Sequence, residues 1–144
     1  PGRLDPAVLA DRTSWIRTML VGLRALPLDD FEAFTADPRN VAAAESYLRR
    51  AVEALVDLGR HLLAKRFAVA AAEYKAIPAA LGERGVLAPE QVILFAKICG
   101  YRNRLVHFYH TVSARELHTI CVRHAGDLED VLSALLAWVD TNPD

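Results

Sequence analysis

Cysteine is scarce in this chain: Cys99 and Cys121 are the two in 144 residues. Two thiols make no disulfide framework and cannot alone complete a zinc site. Both read as small buried hydrophobes. Long apolar runs are missing too, and none approaches the 18–20 residues of a membrane span. The start, Pro1-Gly2-Arg3-Leu4-Asp5, lacks the charged-then-apolar layout of a signal peptide, so a cytoplasmic location is expected. Valine, isoleucine and threonine total 24, too few for a β-rich core. Charge of one sign is absent in excess: 17 Lys and Arg against 18 Asp and Glu leave −1. A nucleic-acid role would therefore need local positive charge, or charge doubled by pairing two chains.

What is present is helix-forming. Alanine (24) and leucine (20) dominate, which predicts one mostly helical domain over residues 1–144. Asp5-Pro6 reads as an N-cap and first helical residue, opening a segment to about Leu26 with an apolar stripe of Leu9, Ile16, Met19, Leu20 and Leu23. A linker holding Phe31 and Phe34 follows. A second Asp-Pro pair, Asp37-Pro38, opens a segment to about Lys65. There Val41, Leu48, Leu55 and Leu62 recur every seven residues, with Ala44, Ala51 and Leu58 between them, a strong helix signal. Ile77 to Arg84 reads as two turns capped by Gly85. Ala88-Pro89 opens a segment to about His107, with Val92, Phe95, Ala96 and Cys99 as its core face. Ser113-Ala114-Arg115-Glu116 reads as a capping box. It opens a last helix striped by Leu117, Cys121, His124, Leu128, Val131, Leu135 and Trp138. The expected fold is all-α: an up-and-down bundle of four long helices plus one short helix.

One stretch is unusual for a bundle helix. Seven of the ten side chains from Tyr101 to His110 are polar or titratable. They are Arg, Asn, His and Tyr, the groups that bind phosphate and move protons. The bland alternative is a helix C-terminus whose cations satisfy carbonyls and the dipole. Helical geometry limits cooperation within the stretch. Asn103 and His107 are neighbours at i, i+4. Arg102 and Tyr109 project about 20° apart, but Arg102 and His107 about 140° apart. Arg102 and His107 therefore cannot converge from one straight helix. Either the helix ends before His107, or a second copy of the chain completes the site. His107 and His110 at i, i+3 have no third metal ligand in sequence, so no metal or other cofactor is expected. His61, His118 and His124 fall in helical stripes and read as core-edge or interface residues.

Arg102-Asn103-Arg104-Leu105-Val106-His107-Phe108-Tyr109 resembles the Arg-x4-His-x-Tyr motif of the HepT toxins in the HEPN superfamily. Phe34 to Asn40, Ala54 to His61 and Leu81 to Leu87 resemble further blocks of that family, and the similarity spans roughly residues 8 to 140. The resemblance implies a HEPN-like homodimer with its two motifs facing across a cleft. It implies a toxin that cleaves RNA without metal, paired with a minimal nucleotidyltransferase antitoxin, MntA, which adenylylates the motif tyrosine. Carried over, Arg102 and His107 are the catalytic pair and Asn103 supports them. Tyr109 is the modified residue in the RNA cleft. Lys97, Arg104 and His110 are candidate phosphate contacts. Phe108 departs from the family, which often has an acidic residue there. The chemistry suits the residues. RNA brings its own 2′-OH nucleophile, histidine moves the proton and arginine stabilises the phosphoryl charge. Two other readings remain open. One is a non-catalytic helical module that binds nucleotide or a partner beside a nucleotidyltransferase. The other is a generic dimerisation domain with a chance motif.

Overall fold

The computed structural model describes residues 2–144; Pro1, part of the start read above, lies outside them. Asp5 caps α1 (Pro6–Arg24), its carboxylate accepting from the Ala7 N–H at 2.9 Å. Asp37 does the same for α3 (Pro38–Phe67), accepting from the Arg39 N–H at 2.9 Å. Both Asp-Pro pairs thus act as the sequence predicts: the carboxylate satisfies a free N–H, and proline occupies a position needing none. The linker with the two phenylalanines is itself a short helix, α2 (Phe31–Ala36). Asp30 caps it by accepting from the N–H groups of Glu32 and Ala33, and Phe34 is fully buried beneath it. Six residues, fewer than two turns, are too few for an apolar period to be read from sequence.

Beyond α3, Ala68 takes a left-handed φ of 54° and closes the helix. Then come α4 (Ala76–Glu83), α5 (Pro89–His107), a 3-10 turn at Tyr109–Thr111, and α6 (Ala114–Thr141). The four long helices are α1, α3, α5 and α6. Gly85 has φ +74°, the left-handed closure expected after α4.

The fold is centred on α3. It packs against α1, α5 and α6, and α4 and α5 close over its C-terminal half. The heptad positions Leu48, Ala51, Leu55, Leu58 and Leu62 are at most 1% exposed. They meet Ile16, Leu20 and Leu23 of α1, Phe95 and Ile98 of α5, and Leu128, Val131 and Leu135 of α6 in one apolar cluster. Val41, first in the series, is only partly buried, because α3 there borders an open groove. On α5 the core face is corrected by one residue: Ala96 is exposed and Ile98 is buried. No described helix is long and apolar enough to cross a membrane.

Candidate functional site

The polar stretch straddles the end of α5. His107 is its last helical residue, and the Phe108 N–H closes the helix on the Arg104 carbonyl at 2.9 Å. The chain then tightens into the 3-10 turn, where the Thr111 hydroxyl donates to the Phe108 carbonyl at 2.8 Å. One of the two alternatives read from spacing is thereby corrected: the helix does not end before His107. Helical phase keeps Arg102 and His107 on different sides of α5, about 140° apart.

Arg102 and Tyr109 share a groove of about 810 Å³, floored by Val41 and Ala42 of α3 and by Leu105 and Val106 of α5. The Arg102 side chain is only 16% exposed, so its position is constrained. Its guanidinium carbon lies 4.2 Å from the centre of the Tyr74 ring, a cation–π stack. Its Nε is 3.5 Å from Glu53 Oε1 and has no hydrogen-bond partner. Glu53 also faces Arg49 Nη1 at 3.7 Å, and Arg49 Nε reaches Glu45 at 3.1 Å. Charges thus alternate along the groove wall: Glu45, Arg49, Glu53, Arg102. Tyr109 is 70% exposed, its ring edge-on to His110.

Lys97, Asn103 and Arg104 line a second cleft of about 470 Å³ with Lys75, Gly100, Tyr101 and Phe108. Arg104, read as a candidate phosphate contact, pairs with Glu116. That pairing also leaves the capping box half made. Ser113 Oγ accepts from the Glu116 N–H at 3.0 Å, while the Glu116 carboxylate is turned to Arg104. His107 and His110 are exposed and line neither cavity. The predicted residues are therefore divided, with Arg102 and Tyr109 on one side of α5 and Lys97, Asn103 and Arg104 on another.

The remaining histidines have structural partners. His61 Nε2 accepts from the Asp5 N–H at 3.2 Å. His118 Nε2 bonds the Leu28 carbonyl at 2.7 Å beside Phe31 and Phe34. His124 meets Asp127 at 3.2 Å and packs on Tyr101. Burial pushes the Cys99 and Cys121 thiols up to about 12, so both stay neutral and inert. Among the described residues no three His, Cys, Asp or Glu side chains gather as metal ligands.

Sequence reasoning missed Glu53, Tyr74 and Lys75. Glu45, Arg49 and Glu53 at i, i+4, i+8 form a row of alternating charge along one side of α3, a spacing that marks side chains able to pair. Tyr74 lies in the irregular segment before α4, and nothing in its local sequence points to Arg102.

A family model described as Ribonuclease HepT-like matches residues 18–135. Among curated proteins none matches by sequence. Solved structures do match in fold. One is a toxin–antitoxin with AMP-PNP, 16% identical with TM-score 0.80 over 89% of this chain and 97% of that one. Another is a tri-AMPylated Shewanella oneidensis HEPN toxin in complex with MNT antitoxin, 17% identical with TM-score 0.81 over 90% and 97%. A third is YutE, a cytosolic protein of unknown function from Bacillus subtilis, 16% identical with TM-score 0.82 over 98% and 94%. At such identities the likeness is one of fold.

Proposed function

The chain belongs to the HepT-like ribonuclease family, whose model spans residues 18–135, and on that premise we propose that it is the toxin of a toxin–antitoxin pair, an endoribonuclease that cleaves RNA without metal. The reading rests on one observation above the rest. The Arg-x4-His-x-Tyr residues straddle the end of α5, with His107 and Tyr109 exposed to solvent and Arg102 held in the groove that Tyr109 also lines.

In this reading His107 takes the proton of the RNA 2′-OH, or gives one to the leaving 5′-oxygen. The Arg102 guanidinium stabilises charge growing on the phosphoryl oxygens. Because Arg102 and His107 diverge on one helix, each active centre combines Arg102 of one protomer with His107 of its partner in a two-fold dimer. Asn103 supports the centre, and Lys97, Arg104 and His110 add phosphate contacts. The whole chain acts as one domain in the cytoplasm, where RNA and a nucleotidyltransferase are both met. Tyr109 accepts AMP from an MntA-like partner. That reading is supported by the exposed hydroxyl and by the AMPylated HEPN toxin among the solved structures of this fold. AMP there adds bulk and negative charge where RNA phosphate must sit.

The test is cleavage of cellular RNA by the purified protein, with and without chelator. Wild type should cleave in both, and His107→Ala should abolish it. Cleavage that persists equally in His107→Ala and Arg102→Ala overturns the proposal. Co-expression with the neighbouring nucleotidyltransferase should add AMP to the intact mass, and Tyr109→Phe should prevent this. A second reading, a non-catalytic HEPN module modified at Tyr109, is favoured by the stacking and burial of Arg102. It predicts AMP addition with no RNA cleavage.

A further inference from the structure

The cleft on the other side of α5 is built differently from the Arg102 groove. Lys97 and Arg104 are seven residues apart on one face of α5, which brings them into line. Lys75 reaches the same cleft from the residue preceding α4. No carboxylate lines it. Among the described ion pairs Arg104 is held by Glu116, whereas Lys75 and Lys97, both exposed, have no acidic partner. A β-carbon placed on Gly100 meets nothing within 4 Å, so the floor is open. Phe108 stands at the rim and is 54% exposed. Two free ammonium groups beside an exposed ring in a cleft of about 470 Å³ match a phosphate joined to a base. An acidic peptide would answer the lysines but leave the ring face unused, and an apolar partner would strand the lysines.

His107 belongs to this side of the helix. In projection it lies about 20° from Gly100 and about 40° from Asn103, and it directly precedes Phe108. We propose that this cleft is a subsite for a single-stranded RNA nucleotide adjoining the cleaved bond, its base stacked on Phe108 and its phosphate held by Lys75 and Lys97. The proposal rests on the ribonuclease reading for what the nucleotide adjoins, and on the cleft itself for binding. A base must leave its duplex to lie on Phe108, so the site selects single strands.

The test measures fluorescence anisotropy of a short single-stranded 2′-O-methyl oligoribonucleotide, which lacks the free 2′-OH and is not cleaved. Phe108→Ala should weaken binding about tenfold, and Phe108→Trp should restore it. Lys75→Ala with Lys97→Ala should weaken binding and lower the slope of log affinity against log salt by about 1–2. Arg17→Ala, an exposed cation on α1, should leave both unchanged. A duplex of the same sequence should bind more weakly. Should Phe108→Ala melt early, the exposed lysine pair, Lys97 on α5 and Lys75 before α4, still decides. Wild-type binding in both sets of variants overturns the proposal. So does wild-type RNA binding combined with lost capture of a co-expressed nucleotidyltransferase, which would mark a protein-docking face. Binding lost in the variants of a protein that cleaves nothing leaves the subsite standing and removes the ribonuclease reading. Cleavage by wild type with unchanged binding in the variants does the reverse.

Discussion

Arg102 is held by partners that its local sequence does not announce. Its guanidinium is stacked on Tyr74 and faces Glu53. Both contacts restrict the guanidinium. Under the proposed ribonuclease reading this lowers the ordering cost of the reactive arrangement and makes Tyr74 a positioning residue. Tyr74→Ala should lower kcat for RNA cleavage about tenfold or more with a smaller change in KM, while Tyr74→Phe, keeping the ring, should stay near wild type. Equal activity of the alanine and phenylalanine variants would leave the stack without a positioning role. His107, by contrast, is exposed at a helix end, so removing it should not change the melting temperature.

At the scale of elements, close approach of helices explains why two glycines answer differently to alanine. A β-carbon on Gly22 of α1 would sit 2.6 Å from the Tyr47 ring of α3. Overpacking of that kind costs about 1–3 kcal/mol, so Gly22→Ala should lower the melting temperature. Gly126 of α6 has nothing within 4 Å of its β-carbon position. Gly126→Ala should raise stability by about 1 kcal/mol through helix propensity alone. Thermal unfolding by circular dichroism reads both.

The docking of the α1 N-terminus on α3 carries a pH dependence. His61 must be neutral to accept the Asp5 N–H. Burial first, then Lys65, with Arg12 adding to them against Asp5, holds its pKa below the ordinary 6.5. The unfolded chain thus takes up this proton at a higher pH than the folded one. The contribution is complete above about pH 6.5 and is lost as pH falls from there toward the lower folded-state value. Denaturant unfolding should show a shallower acid-side loss in His61→Gln than in wild type. Parallel slopes for the two would contradict this.

For the whole molecule the decisive quantity is the angle between Arg102 and His107 on α5. A composite centre predicts complementation. Arg102→Ala and His107→Ala proteins, each inactive alone, should regain roughly a quarter of wild-type cleavage when co-refolded in equal amounts. Half of the dimers are then mixed, and each of those has one intact centre of two. No recovery would mean that one chain supplies both groups. Under that proposal a two-fold dimer would double Lys75, Lys97 and Arg102 while its net charge would stay small, which accounts for a near-neutral chain.

Amino-acid order alone determined the four long helices and α4, though not the short α2. Asp-Pro starts, the Gly85 closure and the seven-residue apolar period on α3 are local instructions that each turn obeys without its neighbours. It also marked the Tyr101–His110 stretch, because Arg, Asn, His and Tyr are costly choices for a bundle surface. Tertiary structure alone decided how that stretch is divided. The packing of α5 against α3 and α6 sets its rotation, so Arg102 faces Glu53 and Tyr74 while Lys97 and Asn103 face Lys75. Those partners lie on α3 and in the segment before α4, far away in sequence. The Glu116 carboxylate follows the same logic: its local motif calls for a backbone N–H, and Arg104, brought close by folding, takes it instead. Capping and periodicity act over one or two turns of chain, whereas charge pairing and stacking act between whatever surfaces the core brings together.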